Sequence, residues 1–201
     1  MRSMLQINRS LAKTKGMSSS DISEEALLEE WVLIQEAQQS PAAFRPLYER
    51  YYESIFRFVF RRTNDEHLTA DLCSQVFLQA LQKLPQYTYR GVPFSAWLYR
   101  IAMNEVAMHY RRQKSSRVVS FNQLPMESLV DELNEGDEAP PLQPVLDALD
   151  QLKEVDMQLM ELRYFEQRPY REIAEILDLT ENNAKVKVHR ILERLKRQLR
   201  D

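Results

Sequence analysis

The sequence predicts an all-α protein of two small helical domains joined by an acidic flexible linker. Three observations carry this. Apolar residues recur at three- and four-residue spacing in successive stretches, each bounded by proline or by a Ser, Thr, Asn or Asp able to cap a helix. The stretch Pro169–Leu199 has the pattern of a short helix, a tight turn and a long helix. Between the patterned regions, residues 118–144 hold Pro125, Pro140, Pro141, Pro144, one glycine and a dense acidic run, which is linker composition. The division is a flexible tail over 1–20, a helical domain over 21–117, a linker over 118–145 and a second helical domain over 146–201.

The tail carries Arg2, Arg9, Lys13 and Lys15 without an acid, and lacks the apolar core and cleavage site of a signal peptide. Asp21 or Ser23 can cap a first helix that runs to about Gln39, where Ser40-Pro41 breaks it, because proline disfavours helix in the residue before it. A second helix follows from about Ala42 to Arg62. Its aromatics, Phe44, Tyr48, Tyr51, Tyr52, Phe56, Phe58 and Phe60, read as hydrophobic core. Asn64-Asp65 starts a third helix, with Leu68, Leu72, Val76, Leu78 and Leu81, and Pro85 stops it. The loop PQYTYRGVP reads as a structured turn. Pro93 suits the first position of a long helix reaching about Ser116. Phe94, Leu98 and Ile101 are its inward positions; Arg100, Asn104 and Arg111 share another face, and Arg111, Arg112, Lys114 and Arg117 form a basic end.

The second domain opens near Val145 with Leu146, Leu149, Leu152, Leu159 and Leu162, leading into Tyr164 and Phe165. The short helix Tyr170–Leu177 turns Ile173, Ala174 and Leu177 inward, and the small Ala174 suits a close helix crossing. Asp178 and Leu179 interrupt it, and Thr180 offers an N-cap hydroxyl to the last helix. Ala184, Val188, Ile191, Leu195 and Leu199 form that helix's apolar stripe. At about 100° per residue, Asn183, Lys187, Arg190 and Arg194 fall on an adjoining face, bordered by Asn182 and Val186.

The net charge of −3 hides a segregation of sign. From Val118 to Asp150 there are acids and no base, whereas the last helix and Arg100–Arg117 are basic. The only cysteine, Cys73, has no disulfide partner within the chain, so a reducing compartment and a buried structural thiol fit it. The longest apolar runs are too short to span a membrane, so no membrane insertion is expected. The three glycines cannot build a phosphate-cradling loop, and His67, His109 and His189 show no metal spacing. No nucleophile motif is present. The expectation is a protein that is not an enzyme, with no cofactor and no metal.

A helix packed by one side, with Asn, Lys and Arg near its own N-terminus on another side, suits a DNA major groove. The competing reading is an amphipathic surface helix with a solvated basic face; the short helix before it favours a helix-turn-helix. LRYFEQRPYREIAEILDLTENNAKVKVHRILERL resembles region 4 of the sigma-70 superfamily of bacterial transcription initiation factors, above all the extracytoplasmic-function group. Asp178 stands where that pattern has Gly, Asn183 and Ala184 where it has Thr-Val, and Val186 where it has Ser. FSAWLYRIAMNEVAMHYRR resembles regions 2.3 and 2.4 through Phe94, Trp97, Leu98, Ile101, Ala102, Asn104, Arg111 and Arg112, with Met108 where Asp is common. LYERYYESIFRFVFRR and ADLCSQVFLQAL are similar to regions 2.1 and 2.2.

The resemblance implies a sigma factor that binds core RNA polymerase and directs promoter-specific initiation. The last helix would read the −35 element as duplex through Asn182, Asn183, Lys187 and Arg190, with Lys185 nearer the phosphates. The −10 element would be read as melted strand by Gln86, Tyr87, Tyr89 and Arg90 of the loop and by Arg100, Asn104, Arg111 and Arg112 of the long helix. Tyr87 and Tyr89 have a second reading, as rings that pack the loop down, and Trp97 reads as core rather than as a base wedge. Asp71, Gln75, Gln79 and Gln82 would line a contact with the β′ clamp helices, and the second domain would meet the β flap. The linker would thread the polymerase channels, where acid mimics nucleic acid, or serve as a solvated spacer. An anti-sigma factor is a further implied partner, and the compartment is the cytoplasm. The alternative is a stand-alone helix-turn-helix regulator using only the C-terminal domain.

Overall fold

The computed structural model describes residues 23–113, 126–134 and 140–200. The expectations for residues 1–20, for Lys114 and Arg117, and for the acidic run at 135–138 lie outside the described residues. Every regular element among the described residues is helical.

Local capping sets the boundaries of the first domain. Helix α1, Glu24–Gln39, begins where Ser23 Oγ accepts the Ala26 N–H at 3.2 Å, so Ser23 rather than Asp21 is the cap. Pro41–Phe44 is a separate 3-10 turn, and α2 runs Arg45–Thr63 rather than starting at Ala42. Pro46, which lacks an N–H, sits in the first turn of α2, where no partner is needed. Asn64 closes α2 in the left-handed region at φ +51°. Asp65 then opens α3, Glu66–Lys83, its carboxylate accepting the Leu68 N–H at 3.0 Å. Leu84–Gln86 is a 3-10 turn, and α4 spans Phe94–Gln113.

Helices α2, α3 and α4 pack on one another, and α1 lies across the turns at Pro41 and Leu84. Their shared core includes Leu47, Ile55, Phe58, Leu72, Val76, Phe77, Phe94, Leu98 and Ile101. Not all the aromatics from Phe44 to Phe60 belong to it. Phe44 and Phe58 are buried, Tyr51, Tyr52 and Phe56 are half-buried, and Tyr48 and Phe60 are exposed. At about 100° per residue, Phe58 and Phe60 point to opposite sides of one helix, so no single core can take both. Cys73 is fully buried, and burial pushes its thiol up to about 12.

In the second domain α6 spans Leu142–Asp150, and α7, Glu154–Met160, runs into a π turn, Glu161–Phe165. Helices α8, Tyr170–Leu177, and α9, Glu181–Arg200, form the helix-turn-helix. Asp178 closes α8 at φ +56°, and the Leu179 N–H reaches back to the Ala174 carbonyl at 2.9 Å. Aspartate tolerates this left-handed conformation better than most side chains, which accounts for its use where glycine is usual. Thr180 Oγ1 accepts the Asn183 N–H at 3.2 Å, as expected of the cap. Ala184, Val188, Ile191 and Leu195 are buried against the other helices.

Part of the expected linker is a helix. Helix α5, Glu127–Leu133, packs on α9, with Leu129 and Leu133 buried and Glu132 accepting the Tyr164 hydroxyl at 2.9 Å. The signal was Leu129 and Leu133 at four-residue spacing, masked in the sequence by the surrounding acids.

The two domains are docked, α4 against α8. The Arg62 guanidinium pairs with Glu161 of the π turn, each side chain 1% exposed, and stands 4.4 Å over the Phe58 ring. Arg61 pairs with Glu166, which also accepts the Tyr99 hydroxyl at 2.6 Å. Arg168 donates to Tyr99 Oη at 3.1 Å and Ser95 Oγ at 3.3 Å. Burial works against the Arg168 charge, but Tyr99, Glu172 and Glu166 outweigh it and hold its pKa above the usual value.

Candidate nucleic-acid interface

The loop between α3 and α4 is fixed by residues far away in the chain. Gln38 Nε2 donates to the Leu84 carbonyl at 2.9 Å and to the Tyr87 carbonyl at 2.8 Å. Buried Glu30 accepts the Phe94 N–H at 2.7 Å, so a carboxylate from α1 caps the N-terminus of α4, and it also accepts the Tyr51 hydroxyl. Burial, then the Glu30 charge, pushes the Tyr51 phenol well above its ordinary pKa. These residues were not legible as site residues in the sequence, because an acid and a glutamine on an amphipathic helix look like its solvent face.

Tyr87 packs on Trp97 at 4.8 Å, on Phe94 at 5.3 Å and on Trp31 at 6.3 Å, and Tyr89 lies 5.7 Å from Trp31. Both tyrosines therefore hold the loop down, and burial pushes the Tyr87 phenol up. Tyr87 also lines a cleft of about 190 Å³ with Lys83, Gln86, Thr88, Arg90, Trp97 and Arg100. Trp97 is half-buried, 5.4 Å from the Phe94 ring, and also lines the cleft. The cleft thus brings together aromatic faces, an amide and three cations, the set a single strand needs. Asn104 is exposed one turn beyond Arg100. Arg111 and Arg112 are exposed and bond only within α4, to the Ala107 carbonyl and the Met108 sulfur, among the described residues.

On α9 the opposite side from the buried stripe is open. Asn182, Asn183, Lys185, Val186, His189 and Arg190 are exposed, and Lys187 is half-buried. Lys187 and Arg190 make no ion pair among the described residues, whereas Lys185 pairs with Glu181 at 2.7 Å. Arg194 is bound to Asp156 at 2.7 Å, so it braces α9 on α7 instead of standing free for phosphate. On α3, Asp71, Gln75 and Gln82 are exposed on one face with Leu78. Gln79 is turned inward to buried Glu105 and also accepts from Lys83 at 3.2 Å.

Family models describe the same two halves. Sigma-70 region 2 matches residues 47–116, and sigma-70 region 4 matches residues 142–195. The chain is 28% identical over 179 residues to the ECF RNA polymerase sigma factor BldN of Streptomyces coelicolor, an alignment spanning 84% of this chain and 65% of that protein. It is 27% identical over 177 residues to the ECF RNA polymerase sigma factor SigW of Bacillus subtilis, spanning 79% of this chain and 90% of that one. Two solved structures share the fold at 20% identity. CnrH, solved with the cytosolic domain of CnrY, has a TM-score of 0.57 and covers 85% of this chain and 96% of that one. The sigma factor RpoE of Bartonella quintana, solved with the anti-sigma factor NepR, has a TM-score of 0.53 and covers 78% and 96%. Region 2 followed by region 4, together over more than half of the chain, places the protein in the sigma-70 family, in its extracytoplasmic-function group of non-enzymatic transcription initiation factors.

Proposed function

We propose that the chain binds core RNA polymerase and gives it promoter specificity, reading the −35 element as duplex with α9 and the −10 element as melted strand at the cleft below α4. The observation that carries this reading is the presence of two chemically different DNA surfaces in one chain. One is an open Asn/Lys/Arg helix face; the other is an aromatic cleft with Lys83, Arg90 and Arg100 at its edge. A stand-alone duplex-binding regulator has no use for the second.

Asn182, Asn183, Lys187 and Arg190 contact base edges, where a good bidentate pair is worth about 1–3 kcal/mol of discrimination. Lys185 lies nearer the phosphates, which give affinity and salt dependence but no sequence. Gln86, Arg90, Arg100 and Asn104 take the displaced strand, and Arg111 and Arg112 follow its backbone. Tyr87, with Trp97, supplies the cleft's stacking surface, while Tyr89 supports the loop. Asp71, Gln75 and Gln82 dock on the β′ clamp helices, with Leu78 as the apolar centre of that contact. Gln79 joins them only by leaving Glu105. Region 4 meets the β flap, and the cytoplasm, where the polymerase works, is the compartment. No helix among the described residues is long and apolar enough to cross a membrane. An anti-sigma factor, the kind of partner named for RpoE, completes the set of partners.

Run-off transcription tests the reading. Added to bacterial core polymerase with a promoter-fragment library, the chain is expected to produce discrete start sites absent without it. Asn104→Ala should block strand opening while leaving upstream duplex binding intact, and Lys187→Ala should do the reverse. No transcript, with no copurification of core polymerase, would remove the mechanism.

A further inference from the structure

Helix α8 of the second domain reaches into the cleft of the first. Glu175 Oε1 lies 3.1 Å from Arg90 Nη1 and 3.8 Å from Arg100 Nη1. Glu175 itself lines the cleft, beside Tyr87 and Trp97. One carboxylate from the duplex-reading domain therefore engages two of the guanidinium groups offered to the strand. A carboxylate and a phosphodiester are both singly charged oxygen acceptors for guanidinium N–H donors, so the two compete for the same arginines. The contact extends to the backbone. Gly91 sits at φ +70° in the loop, and a Cβ there would run into the Arg171 guanidinium of α8. Loop and α8 are thus in direct contact at the cleft.

We propose that Glu175 is an intramolecular stand-in for a DNA backbone phosphate, which closes the strand-reading cleft to single-stranded DNA while the two domains are docked. This rests on the reading of the cleft as the −10 strand site. Docking is held by Arg62–Glu161 and by the contacts of Arg61, Tyr99 and Arg168, which are largely buried. The Glu175 pairs are softer, since Arg90 is 53% and Glu175 23% exposed, and exchange for phosphate is easy once the domains part. A partner that engages both domains at once, as core polymerase would, shifts the population toward the open form. Free protein then binds single strands more weakly than the open form does, and the cleft opens where a strand is to be captured.

The test measures fluorescence anisotropy of a short, labelled single-stranded DNA of random sequence with the full chain. Glu175→Gln is expected to bind about twofold to fivefold more tightly than the parent, the size expected from releasing a partly exposed ion pair. Glu53→Gln removes the same charge from an exposed site on α2 and should leave binding unchanged. Adding Arg100→Gln to Glu175→Gln should erase the gain. Equal gains from Glu175→Gln and Glu53→Gln would reduce the effect to net charge and overturn the proposal. Unchanged binding by Glu175→Gln, with weaker binding by Arg100→Gln, would overturn it and leave the strand site standing. Indifference to Arg100→Gln in both backgrounds would remove the strand site and the proposal together.

Discussion

Replacing Glu161 with Gln tests what holds the two domains together. Arg62 and Glu161 are each 1% exposed, and their guanidinium and carboxylate meet through two hydrogen bonds. The substitution keeps the size of the side chain and removes its charge. The Arg62 cation then faces a neutral amide where the carboxylate was, with half-exposed Glu154 still 3.9 Å away. Breaking a buried pair from one side costs about 3–5 kcal/mol, because the remaining charge stays desolvated. The partly exposed Arg90–Glu175 pair contributes about 1 kcal/mol or less, so docking strength sits at the π turn rather than at the cleft. The penalty falls on the docked state, since Arg62 regains water when the domains separate. Urea unfolding should therefore change character. Trp31 and Trp97 both report the first domain, while far-ultraviolet circular dichroism reports all helices. In the parent the two signals should unfold together; in Glu161→Gln they should separate, with the helical signal falling first. The double variant Arg62→Met, Glu161→Leu removes both charges and should recover most of the loss. A cost below about 1 kcal/mol with coincident signals, or single costs that simply add in the double variant, would refute the buried pair as the latch.

Cys73 is buried and its thiol is pushed up to about 12, so in the folded chain it should resist maleimide at neutral pH and react fully in urea, as followed by mass spectrometry. Asp178 holds φ +56° in the turn of the helix-turn-helix; Asp178→Gly should raise stability by about 0.5 kcal/mol and Asp178→Val lower it by about 1–2 kcal/mol in denaturant melts. Burial raises the pKa of Glu172 above the ordinary 4.5, against the pull of Arg168. Its contribution to stability is therefore full below pH 4.5 and declines as pH rises through the raised value. Glu172→Gln lacks that decline, so its stability relative to the parent should be better at pH 7 than at pH 4, and the opposite trend in urea melts would reverse the assignment.

Much of the fold was legible because its punctuation is local. Ser23, Asp65 and Thr180 each cap a helix through an N–H three residues away, and Pro85 stands in the turn that ends α3. The apolar stripe of α9 and the small Ala174 likewise lie within one or two turns of the residues they imply. The acidic composition around α5 hid a helix, because composition averages over the two leucines that dock it. The candidate site was legible as a set of residue types on named faces: the open side of α9, the loop after α3 and the exposed side of α4. Its present electrostatic state was not.

Sequence alone determined the two helical domains, their order, and the Asn, Lys, Arg and aromatic side chains each would offer to DNA. Tertiary structure alone decided which of those side chains are engaged. Glu30 and Gln38 hold the loop from α1, Arg62 meets Glu161 across 99 residues of chain, and Arg90 meets Glu175 across 85. The physical reason is range: a cap or a stripe is written within four residues and repeats with the helix period, whereas an ion pair between domains depends on how two finished surfaces dock.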